Sequence, residues 1–289
     1  MATRTPHFEA WTTPDNERFR LVHWAKGGDP KASENLLFIQ HGLGEHGARY
    51  QAMADGLDDL DAHVVSFDAR GHGESVGKRG DANGIAQLAD DLMVQLTHAI
   101  EVFQPKRVIV LGHSMGGAVL CHALLHHTLP DEVVGAVISA PAVSVNKTLE
   151  MKVKLAVGNV LGKVVPTLSM GNGLDPQGIS SDASEVRRYI EDPLVHDRVS
   201  ARLGISIVND GETAGNAAER ITLPTLVYQG KDDPIIPFEG TQRFAERLGS
   251  DDKTIRLFEG MRHECHHESS DKAQQVFDVL KEWLGNHFA

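Results

Sequence analysis

The chain has 289 residues, with 28 Lys and Arg against 40 Asp and Glu, a formal charge of −12. This length can bury a substantial core, either as one large α/β unit or as a core with one inserted subdomain. The acidic balance would repel a nucleic-acid backbone, so no nucleic-acid partner is expected, and it disfavours broad adsorption to anionic lipid.

Residues Met1 to Ala10 lack the apolar segment of a secretory signal. No apolar run reaches the about 18 residues of a membrane span, so the expected location is the cytoplasm. The two cysteines, Cys121 and Cys265, read as free thiols, one of them buried.

Two early strands are predicted at Phe8–Trp11 and Arg18–Ala25, joined by the turn residues Thr13-Pro14-Asp15-Asn16. Short, β-branched runs then recur at Leu36–Ile39, Val64–Phe67, Val108–Leu111, Val133–Ile138, Thr225–Tyr228 and Ile255–Phe258. They read as buried parallel strands. Between them, Tyr50–Leu60, Gly84–Phe103, Met115–His126 and Phe238–Leu248 carry apolar residues at helical spacing. A last helix, Lys272–Trp283, aligns Val276, Phe277 and Leu280 with Leu284 just beyond it. The fold class expected from this alternation is α/β, a mostly parallel central sheet with helices on both faces.

The alternation breaks from Pro141 to about Ala218, where no convincing strand is visible. A structureless loop of that length is improbable, so 141–218 is expected to be an inserted helical cap between core segments 1–140 and 219–289. Within it, Leu149, Val153, Val157, Leu161 and Val165 fall at four-residue spacing, accompanied by Lys147, Lys152, Lys154 and Lys163. This pattern suits a helix packed over the core, or one touching a lipid surface transiently.

The most informative segment is Gly112-His113-Ser114-Met115-Gly116, between a strand and a helix. A sharp strand-to-helix turn leaves Ser114 exposed at its apex and requires neighbours without a Cβ, which Gly112 and Gly116 supply. The Met115 N–H, at the helix start, then faces a developing oxyanion. A serine hydroxyl needs a base, and in such α/β-hydrolase elbows the acid and the histidine follow in chain order at strand ends. After one strand comes Gln229-Gly230-Lys231-Asp232-Asp233, and after the next Glu259-Gly260-Met261-Arg262-His263. Ser114, Asp233 and His263 are the expected catalytic residues. Asp232 competes with Asp233, and its simpler role is to cap the turn.

The run His263-Glu264-Cys265-His266-His267 matches the zinc-protease pattern H-E-x-x-H. That motif needs both histidines one turn apart on a helix. Here it follows a strand and the Gly260 turn, so no metal or other cofactor is expected. Upstream, Leu36–Ile39 leads into Gln40-His41-Gly42-Leu43-Gly44, whose glycines let the backbone approach a substrate carbonyl. The Leu43 N–H is the expected second oxyanion donor, opposite Met115.

These elements give a more specific resemblance. HGLGEHGARY (41–50), DARGHGES (68–75), GHSMGG (112–117), YIEDPL (189–194), QGKDD and FEGMRHE occur in order across nearly the whole chain. The chain resembles the monoacylglycerol lipase and lysophospholipase family of α/β-hydrolases. That resemblance implies a polar pocket end formed by Glu45, Arg49, Tyr189 and His266, which would bind the glycerol of a monoacylglycerol. Such hydroxyls need partners in an otherwise apolar tunnel. Asp68, Arg70 and His72 are expected to fix the loop after their strand, and His41 and His113 to orient backbone or water.

The function expected is hydrolysis of monoacylglycerols through a serine acyl-enzyme. A lysophospholipase or broad carboxylesterase is the nearest alternative. A non-catalytic lipid-binding module on the same fold is the alternative of another class.

Overall fold

The computed structural model describes residues 3–144 and 164–289. In chain order the strands are β1 (His7–Thr12), β2 (Arg18–Trp24), β3 (Asn35–Gln40), β4 (His63–Phe67), β5 (Arg107–His113) and β6 (Val133–Ser139). They continue as β7 (Ser169–Gly171), β8 (Arg198–Ser200), β9 (Thr225–Gly230) and β10 (Lys253–Phe258). The helices are α1 (Gln51–Gly56), α2 (Ile85–Phe103), α3 (Met115–His126), α4 (Ala183–Glu191), α5 (Ala201–Asn216), α6 (Phe238–Glu246) and α7 (Ser270–His287).

Among the described residues, eight strands form one sheet in the order β1-β2-β4-β3-β5-β6-β9-β10. The pairs β1–β2 and β2–β4 are antiparallel, and all others in that sheet are parallel. The expected mostly parallel sheet is therefore the observed one.

Successive side chains of a strand point to opposite faces, and the core divides accordingly. Leu36, Phe38, Val108 and Val110 join the core under α2, α3, α5 and α6. Their neighbours Leu37, Ile39, Ile109 and Leu111 join the core under α1 and α7. Continuous apolar runs are thus what a sheet covered on both faces demands. In α7, Val276, Phe277, Leu280 and Leu284 all enter that second core, as their spacing predicts.

Register brings the carboxyl ends of the strands level. Gln40 pairs with Gly112, His113 with Ser139, and Ser139 with Tyr228, while Gly230 pairs with Phe258. The loops after β3, β5, β9 and β10 therefore open along one edge, where ligands of parallel sheets bind.

Two readings need correction. The 141–218 segment holds a small antiparallel ladder, with Met170 of β7 opposite Val199 of β8. Each strand is three residues long, too short for alternation to reveal it. Cys265 is buried along with Cys121, because its turn folds back onto the Tyr228 and Phe258 core. The four-residue apolar spacing from Leu149 to Leu161 lies outside the described residues, and the Val164 and Val165 beyond it are exposed.

Candidate active site

Ser114 separates β5 from α3, with φ 54° and ψ −118°. A non-glycine residue there costs on the order of 1–3 kcal/mol and persists only when its surroundings over-determine it. They do so here. The Ser114 N–H donates to the Ser139 carbonyl at 2.9 Å, and the Ser114 carbonyl accepts from Gly117, Ala118 and Ala142. A Cβ on Gly112 would stand 2.5 Å from the Gly116 oxygen, and one on Gly116 would stand 2.2 Å from the Gln40 oxygen. The elbow is tight enough that both positions require glycine.

Behind the serine, His263 Nδ1 lies 2.8 Å from Asp233 Oδ2. Asp233 is buried and fully bonded. Its Oδ1 accepts from the Ile235 and Ile236 amides, and Oδ2 also accepts from Gln229 Nε2. Asp232 is exposed, so the carboxylate facing His263 is that of Asp233. Burial opposes protonation of His263, but Asp233, and after it Glu264 and Glu45, hold its pKa above the ordinary imidazole value. His113 lies beside it, ring centroids 4.8 Å apart, with Nδ1 3.1 Å from Ser139 Oγ.

The loop after β3 is fixed by side chains rather than by a ladder. His41 accepts from the Ala69 N–H at 2.8 Å through Nε2 and donates to the Gly42 carbonyl through Nδ1. Burial pushes its pKa down to about 3, so it is neutral, as these two bonds require. The Gly42 N–H donates to Glu45 Oε1 at 2.6 Å. Asp68 accepts from the Gly47 and Glu74 amides, and Arg70 pairs with both oxygens of Asp91. His72 is buried under His41 and His196. Leu43 lines the cavity in front of Ser114. Met115 is the first residue of α3, and a helix's first N–H has no partner within it.

Ser114 and His263 open onto one cavity of about 220 Å³. Leu43, Leu174, Ile179, Ile190, Val195 and Ile235 form its apolar part. Glu45, Tyr189 and Glu264 form a polar end. Arg49 stands behind them: Nη1 bonds Glu45 Oε2 and Glu264 Oε1, both at 2.8 Å, and Nη2 bonds Glu264 Oε2 at 2.7 Å. Its guanidinium also lies 4.7 Å from the Tyr189 ring centroid.

The structure thus brings three of the four expected head-group residues together. His266 does not line the cavity. It is buried against Tyr50 and His113, at 5.1 and 5.3 Å between ring centroids, with both ring nitrogens unbonded. Glu264 stands at the polar end instead, and sequence reading passed over it as part of the H-E-x-x-H pattern. Its adjacency to His263 was the available signal.

That pattern is resolved by geometry. Residues Cys265–His267 form one 3-10 turn. His263 turns to Asp233, while His267 faces Glu264 and the Arg49 carbonyl. Among the described residues, no three His, Cys, Asp or Glu side chains converge as metal ligands. Also unanticipated was His196, which lines the cavity and donates its backbone N–H to the Gly44 carbonyl at 2.9 Å.

Sheet, elbow and histidine–aspartate pair define a serine hydrolase of the α/β-hydrolase fold. Residues 31–270 match the family described as serine aminopeptidase, S33, and the chain belongs to that family. The monoglyceride lipase of Rattus norvegicus is 32% identical over 276 residues, 95% of this chain and 89% of the relative. The monoacylglycerol lipase of Mycolicibacterium smegmatis (strain ATCC 700084 / mc(2)155) is 31% identical over 271 residues, 93% and 94% of the two chains. The crystal structure of Paleococcus ferrophilus monoacylglycerol lipase superposes with a TM-score of 0.77 at 33% identity, covering 98% of this chain and 99% of that one.

Proposed function

We propose that this enzyme hydrolyses monoacylglycerols to glycerol and fatty acid through an acyl-enzyme on Ser114. The observation that carries this reading is the cavity itself, which places the apolar side chains of Leu43, Leu174, Ile179, Ile190, Val195 and Ile235 and the polar Glu45, Tyr189 and Glu264 around Ser114 and His263. An acyl chain suits the apolar side chains, and two free hydroxyls find partners among the polar ones.

In this mechanism His263 takes the Ser114 proton as the hydroxyl attacks the ester carbonyl. The Leu43 and Met115 N–H groups hold the oxyanion. His263 then gives its proton to the departing glycerol oxygen and afterwards activates water against the acyl-enzyme. Asp233 keeps the imidazole in the required tautomer and stabilises its imidazolium. No cofactor enters the scheme. In this reading residues 141–218 are the cap over the acyl site, and a site lined to bond a small polyol does not seat two further chains of a triacylglycerol. The exposed Val164, Val165, Leu168 and Met170 on this segment suit transient contact with a lipid surface.

The test is steady-state hydrolysis of 1-lauroylglycerol by wild type and Ser114→Ala, with and without EDTA. Turnover that resists EDTA and is lost in Ser114→Ala is expected. Activity that survives the substitution and dies with EDTA would move the chemistry to the His263–His267 run. Faster release of amine from a Pro-naphthylamide than of acid from the ester would instead make the enzyme a peptidase, as the family description reads.

A further inference from the structure

The charges at the polar end form a network. Glu45 and Glu264 line the Ser114 cavity. Arg49, which bonds both, and His267, which bonds Glu264, line a second cavity. His267 directs Nδ1 to Glu264 Oε2 at 2.7 Å and Nε2 to the Arg49 carbonyl at 2.8 Å. The network thus turns carboxylates toward Ser114, whereas the second cavity carries Asp55, Glu185 and Asp192 alongside Arg49, Arg188 and His267. At the rim of the Ser114 cavity stand two more carboxylates, Asp175 and Asp197, both exposed. Among the described residues, no Lys or Arg lines this cavity.

Glu264 is the member best placed to act on a head group. It follows His263 directly, its side chain is 4% exposed, and its N–H donates to the Ile179 carbonyl at 2.8 Å, which fixes it against the roof. Burial raises its pKa, but Arg49 and His267 outweigh that and hold its carboxyl well below the usual range.

We propose that Glu264, held by Arg49, sets the head-group charge preference of this enzyme: neutral and cationic esters are admitted, and anionic ones are rejected. The proposal rests on the ester-hydrolase reading above. A phosphate next to the glycerol would meet carboxylates of its own sign, and like charges brought together at a binding site are disfavoured. A quaternary ammonium would meet the same carboxylates favourably. Discrimination of this kind works by repulsion and needs no contact to the preferred substrate.

The experiment compares kcat/KM for 1-lauroylglycerol, lauroylcholine and 1-lauroyl lysophosphatidate in wild type, Glu264→Gln and Glu264→Asp. Wild type should use the first two and discriminate against the third by roughly a hundredfold or more. Glu264→Gln should raise the anionic-to-neutral ratio by roughly tenfold or more, and Glu264→Asp should restore it. The acid limb of the pH profile gives a second readout. Removing a carboxylate beside His263 destabilises its imidazolium, so the limb should move to lower pH in Glu264→Gln and return in Glu264→Asp.

Should Glu264→Gln fail to fold, the exposed pair Asp175→Asn and Asp197→Asn should shift the same ratio in the same direction. Equal wild-type use of anionic and neutral esters overturns the proposal, as does a ratio unmoved by either set of variants. Hydrolysis of none of the three esters would sink the ester reading instead. Protection of Ser114 from a fluorophosphonate probe by the same compounds would then report the charge preference without turnover.

Discussion

At Gly116 the structure uses one missing methyl group to join two parts of the site. Its Cα faces the Gln40 and His41 carbonyls, where a Cβ would meet oxygens at 2.2 and 2.5 Å. Those carbonyls open the loop that carries Leu43. Gly116→Ala should therefore push α3 and that loop apart, at a cost of about 1–3 kcal/mol from overpacking. A melting temperature lower by at least roughly 2 °C, together with a fall in kcat larger than the change in KM, is the expected result. An alanine variant as stable and active as wild type would show that the loop yields without consequence. The requirement for glycine was legible in the G-x-S-x-G spacing, but its second contact was not. Gln40 and Gly116 are brought together only when β3 and β5 pair in register.

The elements between β6 and β9 are tied to the loop after β3 at several points. His46 Nε2 meets Asp192 Oδ2 at 2.9 Å, His196 donates its N–H to the Gly44 carbonyl, and Tyr189 stacks on Arg49. A Cβ on Gly44 would stand 2.4 Å from the His196 oxygen, so the two backbones are in direct contact. The His46–Asp192 pair is partly exposed and contributes under about 1 kcal/mol to stability. Its effect on the loop should be larger than its effect on folding. Asp192→Asn is expected to lower kcat several-fold while the melting temperature moves by less than roughly 4 °C. Parallel stability and activity losses would mean that the tie holds only the fold. The Asp192 position lay inside a recognisable motif, yet its partner could not be read from it. Side-chain hydrogen bonds between distant segments leave no periodic trace.

Across the whole molecule, what was legible in the sequence followed burial. Strands covered on both faces read as apolar runs, and helices over them read as stripes, so the sheet and its edge of converging loops could be anticipated. Asp232 stood beside Asp233 as a competitor in the same turn, and the structure places only Asp233 against His263. The carboxylates facing Ser114 were anticipated only in part. Glu45 and Arg49 were expected at the polar end from the motif resemblance, whereas Glu264, 215 positions from Arg49, carries no pattern of its own that pairs the two. The short β7–β8 ladder escaped for a related reason, since three residues carry no pattern.

The cavity in front of Ser114 is walled on one side by the sheet's loops and on the other by residues 172–197. The sheet rests on two large cores, whereas the residues from 164 to 174 carry Val164, Val165, Leu168 and Leu174 to the surface. Segments with little buried apolar area open first on heating. The temperature at which ester turnover stops should therefore fall several degrees below the one at which far-ultraviolet circular dichroism reports melting of the helices. Coincident curves would mean that both walls unfold as one. On the expected course, warming first leaves a molecule with its architecture intact and its chemistry gone, and cooling from that point should return the activity in full.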